Sequence, residues 1–276
     1  MYKRQTLREA LETTKIHSVA GKLGSQFGLV AHRPFRSPHH TISDVALIGG
    51  GTNPKPGEVS MAHNGVLFLD ELPEFKRTVL EVLRQPLEDR NVSIARAKFS
   101  VEYPASLMLI ASMNPCPCGY YNHPEKECIC PGGTVQKYLN KISGPLLDRI
   151  DLHIEVSPIS FDELSNSKSC EKSEFIRERV IKARKIQTSR YAKFDKVHSN
   201  AQMNPAHLET YCSLTSECKS LLKNAMNKFD LSARAYNRIL KVARTIADLE
   251  GLNQIDTSHI AEAIQFRSLD RDNWAG

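Results

Sequence analysis

Four apolar residues running straight into two acids, Val66-Leu67-Phe68-Leu69-Asp70-Glu71, constrain this chain more than any other feature. A short continuous apolar run is what a strand buried on both faces needs, and such strands belong to parallel sheets. Parallel sheets bind ligands beyond the carboxyl ends of their strands, so both carboxylates fall on the edge where chemistry is done. In a nucleoside triphosphatase the first acid holds Mg²⁺ through water and the second polarises the attacking water. Taken alone, the run also reads as a strand followed by an acidic turn.

Further segments bear on that choice. Leu107 to Ala111 reads as a second buried strand, and Asn114 follows it. An amide offers donors and an acceptor, so it can bond both a terminal phosphate and a lytic water. Gly144-Pro145-Leu146-Leu147-Asp148-Arg149 sets an arginine just before a third expected strand, Ile150 to Val156. A rigid guanidinium fork suits charge on a transferring phosphoryl group; a surface pair with Asp148 or Asp151 is the plainer alternative. Leu231-Ser232-Ala233-Arg234-Ala235-Tyr236-Asn237-Arg238 opens a helix with two basic residues four apart, at the end whose dipole attracts phosphate. A solvated basic face would look the same.

In this order these elements resemble the Walker B, sensor 1, arginine-finger and sensor 2 segments of an AAA+ ATPase. Gly49 to Glu58 lies where a helix-2 insert would, and Val92 to Tyr103 alternates as a β-hairpin ahead of sensor 1. Arg33-Pro34-Phe35-Arg36-Ser37-Pro38-His39-His40-Thr41, Phe68 to Phe75, Met113 to Gly119 and Ser232 to Tyr236 narrow the resemblance to the magnesium-chelatase-like ComM/YifB family. The resemblance implies an ATP-driven, Mg²⁺-dependent homo-hexamer acting on branched or single-stranded DNA. It implies that Asp70 organises Mg²⁺, Glu71 orients water, Asn114 senses the γ-phosphate, Arg149 is the finger and Arg234 is sensor 2. It also implies that Arg96 and Lys98, at the hairpin tip, grip phosphates without reading bases. Two rival readings are a chelatase-type motor driving metal into a porphyrin, and a DNA-binding or assembly module without ATPase activity.

The chain departs from the family in carrying no Gly-x-x-Gly-x-Gly-Lys-Thr loop. Gly21, Gly24 and Gly28 are too scattered to cradle phosphates with backbone N–H groups. Met1 to Gln5 also reads as foreign to the family. The expectation is an N-terminally truncated member that binds ATP poorly as it stands, with a natural paralogue lacking the loop as the alternative. Cys116-x-Cys118 and Cys128-x-Cys130 form a second constellation, able to give four thiolates to one tetrahedral zinc, with His123 able to replace one. A loop of free thiols is the simpler reading. Cys170, Cys212 and Cys218 have no partners at metal spacing. The adjacent His39 and His40 suit packing or a phosphate contact.

The texture changes after Pro158. Thr6 to Val19 and Phe75 to Leu87 read as helices of an α/β part, residues 1–157. Residues 158–276 read as all-helical, with a charged helix over Glu171 to Tyr191 and a capped last helix from Asp256. The expected fold is therefore an incomplete AAA+ parallel sheet followed by a helical lid. No apolar run approaches the about 20 residues that span a bilayer. Seven cysteines, many charges and no apolar leader point to the cytoplasm. A net charge of +6 permits nucleic acid as a partner without requiring it.

Overall fold

The computed structural model describes residues 5–23, 28–51, 53–96, 99–158, 171–195 and 197–267, except the side chains of Arg96 and Phe99. These residues fall into two compact units, divided between Arg149 and Ile150.

The first unit opens with helix α1, Leu7–Val19, started by a capping box. Thr6 Oγ1 accepts from the Glu9 N–H while Glu9 accepts from the Thr6 N–H. Three parallel strands follow: β1 (Phe35–Arg36), β4 (Val66–Leu69) and β7 (Met108–Ala111), with β4 in the middle. Leu67 and Leu69 are fully buried, as a central strand requires. Gly65 permits this arrangement, because a Cβ there would stand 2.0 Å from the Pro34 carbonyl oxygen. The expectation of a buried second strand needs correction. β7 forms, but at the sheet's edge, with Met108 61% and Ile110 43% exposed, because no described strand lies along its outer side.

The expected insert, Gly49 to Glu58, holds a small antiparallel pair, β2 (Gly49–Gly50) with β3 (Lys55–Pro56); helix α2 (Asp44–Ile48) precedes it and α3 (Glu58–Met61) follows. The expected single helix over Phe75 to Leu87 is two short ones, α4 (Arg77–Glu81) and α5 (Arg84–Asp89). Pro86 accounts for the break: it has no N–H for the Val82 carbonyl, and its ring crowds that oxygen. The hairpin forms as expected. β5 (Asn91–Arg96) pairs with β6 (Phe99–Pro104), closing at Arg96 opposite Phe99. Its inward residues Val92, Ile94 and Tyr103 are buried. Lys98 lies outside the described residues. Helices α6 (Thr134–Leu139) and α7 (Gly144–Leu147) complete the unit.

The second unit carries α8 (Ser173–Arg190), α9 (Pro205–Tyr211), α10 (Ser216–Phe229), α11 (Ala233–Glu250) and α12 (Thr257–Gln265). Their apolar faces enclose Leu222, Ile239, Ala243, Ile255 and Ile260. The strand expected over Ile150 to Val156 does not form, and Leu152, Ile154 and Val156 are exposed. The helices take up its polar groups instead. The His153 N–H donates to the Phe266 carbonyl (2.7 Å), Arg267 donates to the Ile150 carbonyl, and Arg238 pairs with Asp151. Among the described residues, no helix is long and apolar enough to cross a membrane.

Candidate functional site

The apolar run of β4 delivers Asp70 and Glu71 to the carboxyl end of the sheet, beside the end of β7. The two strands stay in register beyond their last pair: the Ser112 N–H donates to Leu69 (3.0 Å) and the Leu72 N–H to Ser112 (3.0 Å). The Ser112 hydroxyl then donates to Asp70 Oδ1, which also accepts from the Glu71 N–H (3.1 Å). One carboxylate oxygen is thereby oriented by protein donors. Its companion Oδ2 belongs to a residue exposed at that edge.

Glu71 turns the chain sharply, with φ of 54° in the left-handed region that costs a non-glycine residue energy. Its carboxylate lies 3.4 Å from His40 Nδ1. The His39 and His40 rings lie against each other, tilted by 34° with centroids 4.0 Å apart, and His40 and Phe75 meet edge to face. Asn114, three residues beyond β7, is exposed. Asp70, Glu71, Ser112 and His40 thus gather at one sheet edge.

Arg149 is placed differently. Its guanidinium is 9% exposed and turned into its own unit, donating to the Pro145 carbonyl (2.7 Å) and to Glu88. Arg234 is exposed in the first turn of α11, just past the Ser232 cap, whose Oγ accepts from the Ala235 N–H. Arg96 ends β5, and Lys98 stands outside the described residues. The four clustered cysteines come together: their Sγ atoms all lie within 4.8 Å of one another. An N–H from Tyr120 leads the influences that draw the Cys118 thiol down to about 6. His123 is not part of that group; its Nδ1 accepts from the Glu125 and Lys126 N–H groups. Cys212 and Cys218 are buried among the helices, where burial pushes Cys212 up to about 11.

Two family models match nearly end to end: magnesium chelatase subunit ChlI over residues 2–164, and the ChlI C-terminal region over 170–267. Competence protein ComM of Haemophilus influenzae is 47% identical over 265 residues, covering 95% of this chain and 50% of that protein. The chain belongs to the magnesium-chelatase-like ComM/YifB family. Similar relatives include YifB of Escherichia coli, 42% identical over 264 residues (95% of this chain, 51% of that protein). YifB of Salmonella typhimurium is 44% identical over 240 residues (87% and 46%). This ComM/YifB chain spans about half the length of the curated relatives it matches. Its incomplete parallel sheet, helix-2 insert, hairpin and helical unit are those of an AAA+ member.

Sequence reasoning missed three partners in this ComM/YifB site: Ser112 on Asp70, His40 on Glu71 and Glu88 on Arg149. Ser112 had a signal, since it stands one residue past a strand parallel to β4, as Asp70 does. His40 and Glu88 had none, because each meets its partner through a fold contact far along the chain.

Proposed function

We propose that this chain is the sensing and lid portion of an ATP-driven motor that acts on DNA as a ring of identical subunits. The observation that carries the reading is Asp70 bonded to Ser112 at the end of two parallel strands, with Glu71 next to it and paired with His40. A hard dication takes oxygen ligands, and a carboxylate with one oxygen already oriented and the other at an exposed edge fits Mg²⁺ held through water. When bound, the nucleotide and its Mg²⁺ supply an electrophilic phosphoryl group whose charge the site must stabilise.

The chain's own residues would act around that group. Glu71 would accept hydrogen bonding from the attacking water, and its pairing with His40 holds the carboxylate in place until then. Asn114 would bond the terminal phosphate. Arg149 would have to exchange Glu88 for phosphate to act across a subunit boundary. Arg234, at a helix N-terminus, would meet phosphate through charge and dipole together. Arg96 and Lys98, near the hairpin tip, would hold a DNA backbone; the competence role in the name of the Haemophilus relative supports DNA as the partner.

A chelatase-type motor has one observation in its favour, the ChlI description of the matching family models. One experiment separates the two. This chain is joined to the part of Haemophilus ComM that it does not cover, and ATP turnover is followed with single-stranded DNA, branched DNA or a porphyrin. DNA should raise turnover, and Arg96→Ala with Lys98→Ala should remove that rise and flatten its dependence on salt. A response to porphyrin with none to DNA would overturn the DNA reading.

A further inference from the structure

Residues 115–133 connect the end of β7 to α6 with no helix or strand, and Cys116 is the one buried residue among them. Loops longer than about 12–15 residues without structure of their own are uncommon in compact domains. This one buries no apolar cluster that would order it, and Ile129 is 80% exposed. Yet its backbone is closely turned. The Gly119 N–H donates to the Cys116 carbonyl (3.0 Å) across Pro117 and Cys118, and Gly119 takes φ of +83°. A second turn follows, where the His123 N–H donates to the Tyr120 carbonyl (3.1 Å) and Asn122 is left-handed. Small segments without a core need a staple.

The sulfur geometry says which kind. Cys116 Sγ stands 3.3 Å from Cys118 Sγ and 3.8 Å from Cys128 Sγ, and Cys118 and Cys128 are 3.6 Å apart. A disulfide holds its sulfurs about 2.05 Å apart. A tetrahedron of thiolates at about 2.3 Å from one zinc has edges of about 3.8 Å. Iron–sulfur clusters spread their thiolates over separate irons and would hold them farther apart. The Tyr121 N–H donates to Cys116 Sγ (3.3 Å), the kind of outer contact that fixes a ligand's orientation.

We propose that Cys116, Cys118, Cys128 and Cys130 bind one zinc ion in a closed structural site that staples the loop between Asn114 and α6. All four positions are filled by protein, so the site has no room for a water or substrate and is not catalytic. Binding turns thiols into metal-bound thiolates and releases their protons to solvent. The staple fixes both ends of the loop, so Asn114 at one end is held relative to α6 at the other.

The test uses the full chain, made in defined medium and purified under reducing conditions without chelator. Elemental analysis should find one zinc per chain, and Cys128→Ser and Cys130→Ser should each lose it, whereas Cys218→Ser should keep it. Should the serine variants fail to fold, iodoacetamide labelling of the unaltered chain followed by mass spectrometry still decides. The four cysteines should resist alkylation until a zinc chelator is added, then all react. Cobalt in place of zinc should give the intense visible bands of a tetrahedral tetrathiolate. Three results would overturn the proposal: labelling without chelator, protection removed by reductant rather than chelator, or iron in place of zinc.

Discussion

Replacing Asp248 by asparagine should unlock the second unit. Its carboxylate is fully buried at the centre of a network that fixes α8 against α11. Arg190 donates to both oxygens (2.6 and 2.7 Å), Arg244 to one (3.2 Å) and Asn200 to the other (2.7 Å). Tyr191 closes the network through its hydroxyl bond to Asn200 (2.8 Å). The change keeps the shape and removes the negative charge that, among the described residues, pairs with both Arg190 and Arg244, of which Arg244 is 2% exposed. Neither guanidinium can shed its proton. Removing one partner of a buried charged set costs about 3–5 kcal/mol, against a total stability of about 5–15 kcal/mol for a domain. Arg244 keeps two carbonyl bonds, to Leu252 and Asn253, which argues for the lower half of that range. Thermal unfolding followed by circular dichroism should show the midpoint falling by on the order of 10 °C. A fall of one or two degrees would refute the reasoning and show that water or the neighbouring amides neutralise both arginines.

Gly65→Ala should destabilise the first unit by roughly 2 kcal/mol, read in urea unfolding, because the new methyl group must push Pro34 away and strain the β1–β4 ladder. An unchanged midpoint would mean the strands move apart freely. Stability should fall as pH drops below 6.5, because burial holds the pKa values of His63 and His17 below that ordinary value. The unfolded chain then takes up protons that the folded one resists, and above 6.5 the advantage is fully present. His63 Nδ1 accepts from the Ser106 N–H (3.0 Å), so it cannot carry a proton without losing that bond. His63→Asn should flatten the acid side of a pH–stability curve, and an unaltered slope would assign it elsewhere.

Much of this fold was legible where local pattern and packing agree. The run Val66 to Leu69 is buried as its composition demands, and the alternation of Val92, Ile94 and Tyr103 made the hairpin readable from both strands. The α12 start at Asp256 was readable because a capping carboxylate is a local device; it bonds the Ser258 and His259 N–H groups. Pattern failed where a partner decides. Ile150 to Val156 has the apolar residues of a strand, yet its polar groups bond to Phe266, Arg267 and Arg238. In the candidate site, acids at a strand's end could be read directly, but the groups facing them could not. Glu88 lies 61 positions from Arg149, and nothing along the chain announces the pair. The cysteines were legible as a set through their spacing, while the distances between their sulfurs needed the fold.

The central claim is that the end of β4 handles a nucleotide, with Glu71 as the group that polarises water. The most direct test is Glu71→Gln in this chain joined to the remaining part of Haemophilus ComM, with ATP binding and ATP turnover measured on the same preparation. The account predicts binding within a few-fold of the unaltered protein and turnover lowered by about 100-fold or more, the usual contribution of a positioned general base. Turnover that persists unchanged would contradict it, and the two acids would then be only the turn that ends a strand.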